Sequence, residues 1–147
     1  MTRALAVALA AIAGVLVGMQ APINSRLGRT IGSVQAATFS FVAGTIALAI
    51  VASLFYGGLG SFGQVGKAPW WALVGGLLGA VYVTVAILTV RTLGVSGLTA
   101  IVIAGQLAAA VAIDRFGLLG IAKQPIGATR ISGLVLLVIG ALLVVRR

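Results

Sequence analysis

The chain has 147 residues, 61% of them hydrophobic and only 7% charged, with a net charge of +9. A soluble domain carries about 25% charged residues, so this set cannot build a water-facing surface. With no Cys, no His and a single acid, Asp114, the chain also lacks the groups for disulfides, metal clusters, catalytic triads or paired carboxylates.

The composition is that of a polytopic, all-α membrane protein, one transmembrane domain over residues 1–147, with neither enzymatic activity nor a cofactor or metal expected. The basic residues stand singly at the ends of apolar runs, where their head groups reach lipid phosphates. No basic stripe interleaved with aromatics exists, so nucleic acid is excluded as a partner.

A bilayer core takes about 20 apolar residues as helix, and five runs approach this. Met1–Ala21 has the basic start and apolar run of a signal peptide. A cut after Ala21, however, would set Met19 where a small residue is wanted and Pro22 just beyond. The segment is therefore read as a retained first helix, about 4–23, closed by the polar stretch Asn24–Arg29. The second helix covers about 31–56. Gly57–Pro69, with five glycines and Lys67, is a loop. The third helix runs over about 70–90, with Pro69 placed for a helix entry. Arg91–Ser96 is a tight turn, the fourth helix covers 97–113, and Asp114–Arg130, containing Pro125, is the longest polar connection. The fifth helix, 131–145, is the shortest span. Demoting it would give four spans, but its Leu, Val and Ile content is among the most lipid-like in the chain. Five spans put the termini on opposite sides.

On this layout Arg3, Lys67, Arg115, Lys123 and Arg130 fall on one face, and Arg26, Arg29, Arg91, Arg146 and Arg147 on the other. Orientation follows an excess of Lys and Arg on the cytoplasmic side, and here there is none. The chain is expected to insert both ways and pair with an inverted copy of itself. The aromatics Phe55, Tyr56, Phe62, Trp70, Trp71 and Phe116 all lie on one interface, and an antiparallel pair would supply belts to both leaflets. No repeat is visible within the chain.

Small residues line one stripe of helix 2 (Ser33, Ala37, Ser40, Gly44, Ala47) and one of helix 3 (Gly75, Gly79, Tyr82, Ala86, Thr89). Such stripes let helix backbones approach in lipid, so Ser40, Gly44, Gly75 and Gly79 are expected to pack. Polar groups inside spans should point inward, since lipid leaves them unpaired. Gln20 and Asn24 sit one turn apart around Pro22, which removes a backbone donor and softens the helix. Helix 4 carries Ser96, Thr99, Gln106 and Asp114 on one face. Gln20, Asn24, Tyr82 and Gln106 are the candidate substrate contacts, although Gln106 and Tyr82 serve equally well as interhelical glue. Asp114 invites a proton-relay reading. Its place at a helix end beside Arg115 favours a local ion pair or cap.

The ordered motifs Gly18-Met19-Gln20-Ala21-Pro22-Ile23-Asn24 with Leu27-Gly28, and Phe39-Ser40-Phe41-Val42-Ala43-Gly44-Thr45, look familiar together. They are followed by Pro69-Trp70, Gly75-Gly76, Gly79-Ala80, Asp114-Arg115-Phe116-Gly117-Leu118, Gly120, Pro125-Ile126, Arg130 and Gly133. Over essentially its whole length the chain resembles the five-helix YdcZ-type family of the drug/metabolite transporter superfamily. That resemblance implies a bacterial inner-membrane exporter of a small solute. Larger members of the superfamily have ten helices in two inverted five-helix halves. Four-helix small multidrug resistance relatives pair antiparallel around an acid in helix 1. This chain has no acid there, only Gln20 and Asn24, which argues against exchanging a cation for a proton.

The expectation is thus a drug/metabolite-transporter-like half of five helices, working by alternating access as an antiparallel homodimer of ten. Its partners are itself, a small solute and the bilayer. The alternatives are a non-transporting membrane subunit or assembly factor, or one half of an obligate heterodimeric transporter.

Overall fold

A computed structural model describes residues 1–146; Arg147, counted in the charge balance, lies outside the described residues. Every regular element among them is helical. Helix α1 spans Arg3–Ile31, capped by the Thr2 hydroxyl, which accepts the Leu5 N–H at 3.3 Å. The expected stop at residue 23 is not observed: Asn24–Arg29 forms the last turns of α1 rather than a loop. Polar side chains do not break a helix, and a proline inside a membrane helix is tolerated where neighbouring groups compensate. Twenty-nine residues at about 1.5 Å each make a rod of roughly 43 Å, longer than a hydrocarbon core of about 30 Å. The extra turns carry Arg26 and Arg29, both exposed, to headgroup level.

A single residue joins α1 to α2 (Ser33–Phe55). Gly32 adopts φ 97° and ψ 150°, a region open essentially to glycine alone. Its N–H donates to the Gly28 carbonyl and its own carbonyl accepts from the Ala36 N–H, each at 3.0 Å. One residue therefore ends one helix and starts the next. Within α2 the hydroxyls of Thr38, Thr45 and Ser53 donate to the carbonyls of Val34, Phe41 and Ala49 at 3.0, 2.8 and 2.8 Å. This local satisfaction is what a hydroxyl facing lipid requires.

Two short 3-10 stretches, Gly60–Lys67 and Trp70–Val74, lead to α3, Gly75–Phe116. The turn expected at Arg91–Ser96 shrinks to one residue, Gly94, at φ 70° and ψ 169°. Forty-two residues in one straight helix would be about 63 Å long, twice the apolar thickness of a bilayer. The break at Gly94 divides α3 close to the middle. After a further 3-10 turn, Leu118–Gly120, and extended chain, α4 spans Ala128–Val145, three residues earlier at its start than expected. Four helical stretches, Arg3–Ile31, Ser33–Phe55, Trp70–Phe116 and Ala128–Val145, are long and apolar enough to cross a membrane. The third holds both the third and the fourth helix of the sequence reading.

The chain divides into two compact units, Met1–Thr89 and Val90–Arg147. In the first, α1, α2 and residues 75–89 of α3 meet around Ala36, Ala37, Val83 and Ile87, with Leu27 and Tyr82 packed against them. Ala36 and Ile87 are fully buried. Gly79 allows the close approach here: a Cβ on it would lie 3.2 Å from the Phe41 ring. Around this small core the surface is apolar, with Leu48, Leu54 and Leu77 exposed, as a lipid-facing wall should be. In the second unit Gly97 lies against Val145, where an added Cβ would sit 3.7 Å from that side chain. Gly44 and Gly75 have no atom within 4 Å of where a Cβ would stand, so within one chain they face open space.

Candidate functional site

The polar residues of α1 gather at a narrow cleft in the first unit, walled by Gln20, Ala21 and Asn24 of α1 and Tyr82, Val83 and Ala86 of α3. Three of the four residues expected to contact substrate are thus brought together. Helical spacing explains how. Gln20 and Asn24 are one turn apart, as are Tyr82 and Ala86, and each pair shares a face. Ala21 and Ala86, both buried, keep the two backbones close. The cleft is partly open and nowhere wide enough to seat a water molecule. A pocket for a small molecule is typically about 300–1,000 Å³, so the cleft of one chain is not by itself such a pocket.

Asn24 is 5% exposed and its amide donates to the Ser40 hydroxyl of α2 at 3.2 Å. Ser40, expected only as a small packing residue, is therefore the polar tie between α1 and α2. Gln20 and Tyr82 are partly exposed and make no side-chain hydrogen bond among the described residues. Asn24 has the structural bond, and Gln20 and Tyr82 are left to offer donors and acceptors to the cleft. A double-mutant cycle of Asn24→Ala and Ser40→Ala should return a coupling of about 0.6 kcal/mol and at most about 1.7 kcal/mol, the range of interhelical hydrogen bonds in membranes. Unfolding in mixed micelles would measure it.

A larger hollow of about 890 Å³, open to its surroundings, lies at the end of α2 against Leu59 and Phe62. Its walls are mostly aliphatic and aromatic; the Thr45 hydroxyl is already donated to Phe41, and the Tyr56 phenol is the other polar group there. It offers a surface for acyl chains and little to orient a polar solute.

Gln106 belongs to the second unit and is exposed on α3. Asp114, half-buried near the end of α3, pairs with Arg130 of α4 at 3.0 Å and not with its neighbour Arg115. The same guanidinium donates to the Gln124 side chain at 3.1 Å, and the Gln124 N–H donates to the Asp114 carbonyl at 2.9 Å. The Lys123 stem lies over Gly117, leaving no room there for a side chain. Asp114 thus ties the α3–α4 connection through both its carboxylate, to Arg130, and its backbone carbonyl, to Gln124. Only the pairing of residues sixteen apart, invisible to local spacing, separates this from the expected ion pair.

Comparison with known proteins identifies the family. The family model described as "Putative inner membrane exporter, YdcZ" matches residues 5–143. The chain is similar to "Inner membrane protein YdcZ" of Escherichia coli (strain K12), 30% identical over 148 residues that cover all of this chain and 99% of that protein. No solved structure matches.

Proposed function

The chain belongs to the YdcZ family of inner-membrane exporters and is a multi-pass protein of that membrane, and from this premise we propose that it carries a small solute by alternating access as an inverted homodimer. The observation that supports this most is the cleft itself. Gln20, Asn24 and Tyr82 line the crevice together with Ala21, Val83 and Ala86, and the crevice is too small for a solute. A second copy would supply the missing wall. With α3 crossing twice around Gly94, each chain contributes five spans and the pair ten.

Three features support the inverted arrangement. The ten basic residues divide evenly between the two faces on the five-span layout. The chain carries no internal repeat. Gly44 and Gly75 face open space in one chain, where a partner helix could approach as closely as small residues permit. Gln106 stays a separate candidate contact on the second unit, and Pro22 gives α1 a point at which to bend. The activity proposed is transport, to which the cleft contributes hydrogen-bonding groups.

Reporters fused to the C-terminus test the topology. Both orientations should be populated, and replacing Arg146 and Arg147 by Ala should shift the mixture toward one of them. A population wholly on one side would overturn the inverted homodimer. Flux in proteoliposomes tests the site: Gln20→Leu should abolish transport while the protein stays folded, and unchanged flux would remove the cleft from the mechanism.

A further inference from the structure

Resting on the transporter reading above, we propose that the site completed around this cleft by a second copy takes an uncharged polar solute, held by hydrogen bonds alone, and that its passage is not exchanged for a proton.

The chemistry of the walls carries this. Gln20, Asn24 and Tyr82 are the polar lining residues, and Ala21, Val83 and Ala86 supply the rest. None bears a formal charge. A carboxamide and a phenol each donate and accept, and the Asn24 amide is already engaged with Ser40. What remains is a mixed donor and acceptor set that matches hydroxyl or amide groups. Such a solute exchanges hydrogen bonds with water for hydrogen bonds with the site, at little net change. An ion would have to shed its water with no countercharge to meet it, a penalty of several kcal/mol even after relaxation. The basic residues of the first unit do not relieve that for anions, since Arg3, Arg26, Arg29 and Lys67 are all exposed and none lines the cleft.

The proton follows from the same inventory. Exchange of a proton for a cation needs an acid that the two compete for. The chain has one acid and no histidine. That acid, Asp114, holds Arg130 at 3.0 Å in the second unit and ties down the α3–α4 connection. Nothing in the cleft can take its place. A neutral cargo moved with no coupled ion carries no net charge, so on this proposal neither membrane potential nor pH gradient should drive it.

The full chain, purified and reconstituted in vesicles, decides this with four named probes: erythritol, mannitol and N-acetylglucosamine as uncharged polar solutes, and methyl viologen as an organic cation. At least one uncharged probe should equilibrate roughly tenfold faster than in protein-free vesicles, changing by less than about twofold under an imposed pH gradient or potential. Tyr82→Phe, which removes one hydroxyl and almost no volume, should slow it by about tenfold, the worth of one well-made hydrogen bond. Gln20→Leu provides an independent second variant. Accumulation of methyl viologen against a pH gradient would overturn the ligand class and leave the transporter reading standing. No protein-dependent flux of any probe would overturn both.

Discussion

Replacing Gly32 by valine is expected to destabilise the folded protein by about 3 kcal/mol, the upper end for a side chain forced into a sparsely populated backbone region. Gly32 sits at φ 97° and ψ 150° with no loop on either side to absorb a change. A Cβ there would also run into the side-chain oxygen of Gln35. Relaxation of the backbone would break the paired hydrogen bonds to Gly28 and Ala36, each at 3.0 Å. Valine adds a branched side chain to the strain, so alanine should fall between it and the parent. Unfolding in mixed micelles measures the series, and a valine variant as stable as the parent would show that α1 and α2 meet in another conformation.

Truncating Ile87 to alanine should destabilise by about 2 kcal/mol, near the lower end of the range for core truncations in water. Ile87 is fully buried against Ala36, Ala37 and Val83. In lipid the unfolded reference is itself apolar, so the transfer part of the usual loss disappears and the lost packing contacts remain. The neighbouring Leu88 is 56% exposed; Leu88→Ala should change stability by less than about 0.5 kcal/mol. Equal effects at the two positions would mean that the α2–α3 contact does not form in the bilayer.

The two variants probe different determinants. Gly32 acts through backbone conformation, and Ile87 acts through contact. Both lie where local pattern was least informative. Polarity marked Asn24–Arg29 as a boundary, but hydrogen bonding along the helix continues through polar residues until something interrupts it. The interruptions are Gly32 and Gly94; Gly94 falls within the turn expected at Arg91–Ser96, whereas no local feature singles out Gly32 among the 21 glycines. Gly44 and Gly75, marked by their stripe, have open space beside them in one chain, whereas Gly79 touches Phe41.

The candidate site was legible in a different measure. Gln20, Asn24 and Tyr82 stand out as polar residues within apolar runs, since such residues are costly in lipid unless they face inward. That Asn24 spends its amide on Ser40 while Gln20 and Tyr82 remain available was not legible. The partner of Asp114 was missed for the same reason, because Arg130 is brought to it by the folded connection and not by spacing.

Composition and the lengths of the apolar runs are enough to establish a membrane-spanning, all-helical chain with a single acid and no imidazole. Those properties follow from how each residue partitions between water and lipid, whatever its neighbours. Which helix faces meet, where one helix yields to the next, and which polar groups are consumed by the fold depend on rotations about helix axes. In lipid those rotations are set by close packing and a few hydrogen bonds, with no hydrophobic force between helices to announce them in the pattern.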